Sequence, residues 1–457
     1  MTSPTTRTPA VETPSPGRRG FLHSGMRLPF ILIVTCFAAW GVLNNMTDPL
    51  VSVFSSVFSM GAFQSSLVQF AFYGAYCVLA IPAAWINSRL GYKGGVLIGL
   101  LLASFGGFLF FPASQIMTYT MFLAALFTLA AGLSILETSA NPYVMAMGPE
   151  ATATRRLNVA QAFNPVGSNL GVLLAAMLIL PRVNPSTAEE RAALSQDELE
   201  SIRSSELQAV MGPYIGVAMT LVLIAIAIAM VRVPKNPAVM ADAERGAEQR
   251  IGARLSRLLR NRRYSFGVVA QFFNIAAQIC IWTFTIHYVT ETLGVDDTRA
   301  GYWLQASLLV FLIMRFVMVA LMGRFDARKL MVLMCTLGTA LSVLAVLSGN
   351  IVGAVAIVLL SGCISLLFPT IYGVALEGLG QDTKYGAAGL IMAIVGGAVM
   401  PLLHGWVIDI SSARTSYLVV AVCFAVVAAY GIYVLRTPSP AAAESEAEAE
   451  AGADTAA

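Results

Sequence analysis

The chain has 457 residues, of which 57% are hydrophobic and 12% charged, with a mean hydropathy of +0.74, whereas soluble domains carry roughly 25% charged residues. This excludes a soluble globular enzyme, and a formal net charge of +3 with no gathered basic patch excludes a nucleic-acid partner. Such a chain is counted in apolar spans of about 20 residues rather than in domains.

Residues 1–27 are rich in Pro, Thr and Ser, without an apolar core or a small-residue cleavage site, and predict a disordered cytoplasmic tail rather than a signal peptide. Six apolar runs follow at 28–58, 64–87, 94–113, 117–147, 156–181 and 210–232. After a basic connector at 233–264 come six more, at 265–292, 299–323, 329–348, 351–379, 385–409 and 414–435. Each is long enough to cross a hydrocarbon core of about 30 Å as a helix, which satisfies its own backbone there. The short alternating segments of a membrane barrel are absent. The expected fold is an all-α polytopic membrane protein of twelve transmembrane helices in two six-helix bundles, 28–232 and 265–435. Residues 436–457 are Ala/Glu low complexity and predict a disordered tail.

The halves echo each other. A run carrying Asn141-Pro142 is followed by Arg155-Arg156 and a Gly-rich span; one carrying Phe368-Pro369 is followed by Lys384 and another Gly-rich span. Parallel repeats of this kind mark a secondary transporter whose site lies at the midplane between the halves. Placing the N-terminus inside assigns 22 of the 28 Lys and Arg residues to the cytoplasm, as the positive-inside rule requires. The orientation expected is therefore a bacterial cytoplasmic (inner) membrane with both termini cytoplasmic. Arg250, Arg254, Arg257, Arg260, Arg262 and Arg263 of the connector have spacings that suit a surface helix against anionic headgroups, or are basic by topology alone. The six cysteines sit singly in apolar stretches and read as small buried hydrophobes, with no metal-ligand spacing. No P-loop, catalytic triad or cofactor fingerprint is present, so no enzyme and no cofactor is expected.

An ionisable group inside a span costs roughly 2.5–3.5 kcal/mol on insertion scales and needs a reason. Asp48, in WGVLNNMTDPL, lies in the outer half of the first span, and Glu137, in LSILETSANPY, about 15 Å above the inner end of the fourth. In a low dielectric a carboxyl is favoured neutral, the property a proton carrier needs. A hydrogen-bonded structural acid is the competing explanation, and for Asp48 a break at Pro49 open to water. Around them lie Asn44, Asn45 and Thr47 of the first span, Asn141 of the fourth, and Gln161, Asn164 and Asn169 of the fifth. Amides donate and accept, as sugar hydroxyls do; interhelical amide bonds are the alternative use. Gln161 and Asn164 share a helix face, and Asn164 stands about 12 Å above Arg156, near the level of Glu137.

The second half carries Gln271, Asn274, Gln278, Trp282 and His287 in the seventh span, Trp303 and Arg315 in the eighth and Tyr372 in the tenth, with no mid-span carboxylate. The expected division gives the proton to the first bundle and an aromatic wall to the second. Gln278, Trp282 and Tyr372 are substrate-binding candidates, Trp282 by stacking on a sugar ring; packing or lipid-belt roles compete for the aromatics. Arg315 is read as an anchor or a snorkelling residue rather than a ligand contact, and His287 as a surface residue.

Together WGVLNNMTDPL, SILETSANPYV, GPE at 148–150, RRLNVAQAFNPVGS, SQDELESIRSSEL and LGQDTKYG at 379–386 resemble the L-fucose:proton symporter family of the major facilitator superfamily, over 28–435. The resemblance implies alternating access by rocking of two bundles and uptake of a sugar with a proton as coupling ion. It implies that Asp48 and Glu137 carry proton coupling and that Asn45, Gln161 and Asn164 contact the sugar. Departures fall at Thr47, Asn274 and His287, so L-fucose or a related hexose is the expected substrate. A sodium-coupled glucose/galactose or N-acetylglucosamine carrier and a non-transporting sugar sensor are the alternatives. The partners expected are a monosaccharide and the bilayer, with the protein a monomer.

Overall fold

A computed structural model describes residues 20–57, 62–116, 118–179, 181, 195–231 and 251–437. Among them the first half is built from α1 (Arg27–Val57), α2 (Ala62–Ile116), α3 (Tyr119–Ala146), α4 (Ala153–Gln161), α5 (Phe163–Leu174) and α6 (Gln196–Met230). A connector helix α7 (Ile251–Arg260) leads to α8 (Arg262–Leu293), α9 (Asp297–Leu321), α10 (Ala327–Leu347), α11 (Ile351–Ile364), α12 (Leu367–Leu376), α13 (Thr383–Met392), α14 (Gly396–Ile410) and α15 (Ala413–Arg436).

Eleven described stretches are long and apolar enough to cross a membrane, and one of them, Ala71–Ile116, has 46 residues, twice what a bilayer needs. It reverses at Gly91, whose φ of 70° and ψ of 172° lie outside the helical region and suit a residue without Cβ. The eleven stretches are therefore twelve spans. Span five is α4, α5 and the π-helical turn Ala175–Ile179; span ten is α11 with α12, and span eleven is α13 with α14. Side chains cap the helices that begin at loops: Asp296 accepts from the Arg299 amide at 2.9 Å, Asn350 from Val352 at 2.9 Å, and Ser195 with Glu198 forms a capping box.

Close backbone contact repeats in the two halves. A Cβ on Gly167 would stand 1.8 Å from the carbonyl oxygen of Ala38, and one on Gly41 2.1 Å from that of Asn164, so α1 and α5 touch through glycine. In the second half a Cβ on Gly396 would stand 2.3 Å from the carbonyl oxygen of Phe272, joining α14 to α8 in the corresponding pairing of seventh and eleventh spans. Small residues let helices meet without a hydrophobic driving force in lipid.

The ends of the spans that carry Arg155, Arg156, Arg263 and Lys384 are closed. Arg156 is fully buried. Its Nε donates to Val144 O at 2.7 Å, Nη1 to Phe21 O at 2.9 Å and Nη2 to Gly148 O at 3.0 Å and to Met145 O. It thereby satisfies the last carbonyls of α3, where a cation also suits the helix dipole. Between halves, Asn158 Nδ2 donates to Thr370 Oγ1 at 3.2 Å, and a Cβ on Gly373 would lie 2.5 Å from Thr154 Oγ1. Glu377 pairs with both Arg263 and Arg328.

Three regions are defined more closely by the structure. The tail expected over 1–27 is structured from Gly20 onwards: Phe21 meets the Phe30 ring edge-on at 6.0 Å and accepts from Arg156. The seventh span begins at Arg262, capped by Asn261, rather than at 265. The connector helix docks on protein: Arg254 is buried with its guanidinium 5.2 Å over the Tyr385 ring, and Arg257 holds Asp382 through two bonds of 2.9 Å. Residues 1–19, 232–250 and 438–457, with the tails expected there, lie outside the described residues.

Candidate functional site

Above the closed end, between the halves, lies a cavity of about 100 Å³. Glu137 reaches it from α3, a helix otherwise buried through apolar and small residues. The carboxyl is 2% exposed and, among the described residues, neither oxygen has a hydrogen-bond partner. A buried charge without a partner is costly, so the site stores a demand for a proton or for a ligand's donors. Asn141, one turn further along α3, neighbours the carboxyl and is itself held by Gln161, whose Nε2 donates to Asn141 Oδ1 at 2.8 Å.

Asn45 and Asn164 complete the polar wall. Asn45 Nδ2 donates to Gly41 O at 3.3 Å within α1, and Asn164 Nδ2 donates across to Phe37 O at 3.4 Å. Each amide is thus held by backbone on one side while it lines the cavity on the other. Trp40 and Tyr76 extend this wall, locked together by a 2.9 Å bond from Trp40 Nε1 to Tyr76 Oη.

The opposite wall is apolar and aromatic. Trp282 is fixed by a 3.1 Å bond from Nε1 to Ser361 Oγ and by edge-to-face packing on Phe311 at 5.2 Å. Ser361 is itself 2.5 Å from Ser307 Oγ, so the indole rests on a small polar relay. Arg315 lies in the same wall, its guanidinium 5.0 Å over Phe311; it is buried, and among the described residues its Nε and Nη1 have no hydrogen-bond partner. One orphan cation and one orphan carboxyl therefore face one cavity from different halves.

Of the residues singled out from sequence, Asn45, Glu137, Gln161, Asn164, Gln278 and Trp282 meet at this cavity. Tyr372 does not. It is fully buried in α12, stacked against Phe368 at 6.1 Å and 22°, and Phe368, one turn nearer the cavity, takes the wall position. The side chain of Asp48 lies outside the described residues, although α1 carries its backbone. Gln271 and Asn274, on the α8 face that carries Gln278, are buried without hydrogen-bond partners among the described residues and do not line the cavity. Sequence reasoning missed Arg315 as a cavity residue, although its mid-span charge was a signal. It also missed Trp40, Tyr76 and Phe311, which nothing in an apolar run distinguishes.

The model of the Major Facilitator Superfamily matches residues 30–284 and 267–457. The chain is 40% identical to the L-fucose-proton symporter of Haemophilus influenzae, over 88% of this chain and 96% of that one. It is 36% identical to the L-fucose-proton symporter of Escherichia coli, over 90% and 94%. This chain belongs to the L-fucose-proton symporter family of the major facilitator superfamily. The crystal structure of the major facilitator transporter FucP in the outward conformation superposes with a TM-score of 0.84 at 35% identity, covering 90% of this chain and all of that one. A glucose/galactose transporter of Brucella abortus is 30% identical over 94% of this chain and 98% of its own. As a member of this superfamily the protein is a multi-pass membrane transporter and not an enzyme.

Proposed function

We propose that this protein takes up L-fucose or a closely related hexose together with a proton, by alternating access of the central cavity. The observation that carries the reading is Glu137: a buried carboxyl without a hydrogen-bond partner among the described residues, set between an amide wall and the indole of Trp282. Protonation removes the cost of its unpaired charge, and a sugar hydroxyl supplies the hydrogen bond it lacks. Glu137 and Asp48 are assigned to proton coupling; Asn45, Gln161, Asn164 and Gln278 to the hydroxyls; and Trp282 to the apolar ring face. Tyr372 is left out of the substrate shell. The closed, basic end is assigned to the cytoplasm of a bacterial inner membrane, with both termini on that side. The two L-fucose-proton symporters at 40% and 36% identity favour fucose and a proton over the glucose/galactose transporter at 30%.

The test is uptake of labelled fucose, glucose, galactose, mannose and N-acetylglucosamine into proteoliposomes under an imposed pH gradient and then a sodium gradient. Accumulation of one sugar, abolished by a protonophore and indifferent to sodium, is expected. Sodium dependence would keep the cavity but reassign the acids, and binding without flux would mark a sensor.

A further inference from the structure

Two contacts fix the heights of α8 and the tenth span against each other. Trp282 Nε1 donates to Ser361 Oγ at 3.1 Å, and a Cβ on Gly267 would stand 2.6 Å from that of Ala375. Between these points the two helices run antiparallel, so Gln278 stands level with Ser365, Asn274 with Phe368 and Gln271 with Tyr372. Asn274 and Gln271 share the α8 face of Gln278 and lie about 6 and 10 Å from it towards the closed end. Phe368 lines the central cavity and is stacked on Tyr372 at 6.1 Å, so the two rings form a floor beside the two amides. Tyr372 in turn neighbours Asn141 and Glu137 of the first half.

Gln271 and Asn274 are 0% and 1% exposed, and among the described residues neither amide has a hydrogen-bond partner at its nitrogen or its oxygen. A buried amide with nothing to bond is unfavourable, and the usual role of such residues in a membrane bundle, bonding helix to helix, is not filled here. We propose that Gln271 and Asn274 form a second sugar subsite on the release side of the central cavity, bonded by the hydroxyls of the monosaccharide once the basic end opens. The proposal rests on the alternating-access reading. The seal crosses at the same height: Asn158 bonds Thr370, and Thr154 meets Gly373, both on α12 within two residues of Tyr372. Parting these contacts frees α12, and the ring floor with it, from the first half. A sugar leaving Gln161 and Asn164 then exchanges one pair of amides for another, each able to donate and accept. Because the second pair is buried while the end is shut, it favours the loaded carrier only in the open state and draws the equilibrium that way.

The experiment measures the half-saturating concentration of labelled L-fucose from each face, in right-side-out and inside-out membrane vesicles holding the full chain. Gln271→Leu and Asn274→Leu remove the hydrogen-bonding atoms at similar volume. The ratio of cytoplasmic to outer half-saturation should rise about tenfold in each, with the thermal midpoint at or above that of wild type, since an apolar side chain replaces an unmet amide. An unchanged ratio overturns the subsite; joined to a lowered midpoint, it makes the two amides holders of buried water. Wild-type vesicles without flux from either face would fail the transport reading, and the subsite is then decided by Gln271→Cys. Its reaction with a membrane-impermeant thiol reagent from the cytoplasmic face, above the wild-type background, should be slowed several-fold by L-fucose and not by glycerol. No reaction, or a rate indifferent to L-fucose, overturns the subsite.

Discussion

In the first half, α1 and α5 meet through Gly41 and Gly167 and present Asn45, Gln161 and Asn164 to the cavity. In the second, α8 and α14 meet through Gly396, yet the wall they share is Ile275, Gln278, Ile279 and Trp282 with Ile394. The glycine pairing is common to the repeat, while the chemistry has diverged. The teaching is that closeness of backbones and polarity of the wall are separable: one is set by residues without side chains, the other by side chains on the adjacent face. A polar half can hold a proton and hydroxyls, and an apolar half can exclude water and shape the ring face.

The comparison can be broken where it is strongest. Glu137→Gln removes the titratable group but keeps an amide of the same size, so concentrative uptake should be lost entirely while sugar counterflow in proteoliposomes survives. Loss of counterflow as well would assign Glu137 to recognition rather than to coupling. The glycine contacts come next: Gly167→Val should destabilise the protein by about 3 kcal/mol or more, since its Cβ would meet backbone and not a movable side chain. A thermal midpoint unchanged from wild type would mean that α1 and α5 are not pressed together.

Within the walls the effects shrink. Gln161→Leu deletes the bond to Asn141 and leaves a buried amide unsatisfied, which should weaken sugar binding by about 1–3 kcal/mol in calorimetry. Trp282→Phe keeps a ring but loses the bond to Ser361, and about 1 kcal/mol is expected. Smallest of all is Tyr372→Phe: its hydroxyl has no hydrogen-bond partner among the described residues and lies off the cavity, so sugar affinity should change less than about twofold. A tenfold loss there would return Tyr372 to the substrate shell and with it a polar contact from the second half.

Most of the fold was legible because lipid imposes one requirement on every span. Runs of about 20 apolar residues, basic inner loops and the rarity of mid-span acids follow from the cost of exposing peptide groups and charges to hydrocarbon. Glu137 was legible for the same reason. The residues whose position relative to the cavity differs from expectation are those whose placement depends on depth and rotation. Phe368 and Tyr372 sit one turn apart on α12, and no periodicity tells which of them is level with Glu137. Arg315, with room to snorkel on a bare helix, is kept inside by packing on Phe311. The Arg residues of the connector read from sequence as facing lipid headgroups or as basic by topology alone; Arg254 and Arg257 of α7 instead meet Tyr385 and Asp382.

The amino-acid sequence by itself determined the twelve spans, the family and the presence of an acid among amides, since hydrophobic length and the price of a buried charge are local properties of a chain in a bilayer. Only the tertiary structure decided which turn of each helix faces the cavity, and that Glu137 and Arg315 meet there without hydrogen-bond partners among the described residues. It alone docked the connector helix on Asp382 and Tyr385 of the second half. Those outcomes depend on how helices far apart in sequence are rotated and pressed together, and helix rotation against a distant neighbour leaves no mark on the pattern of any single span.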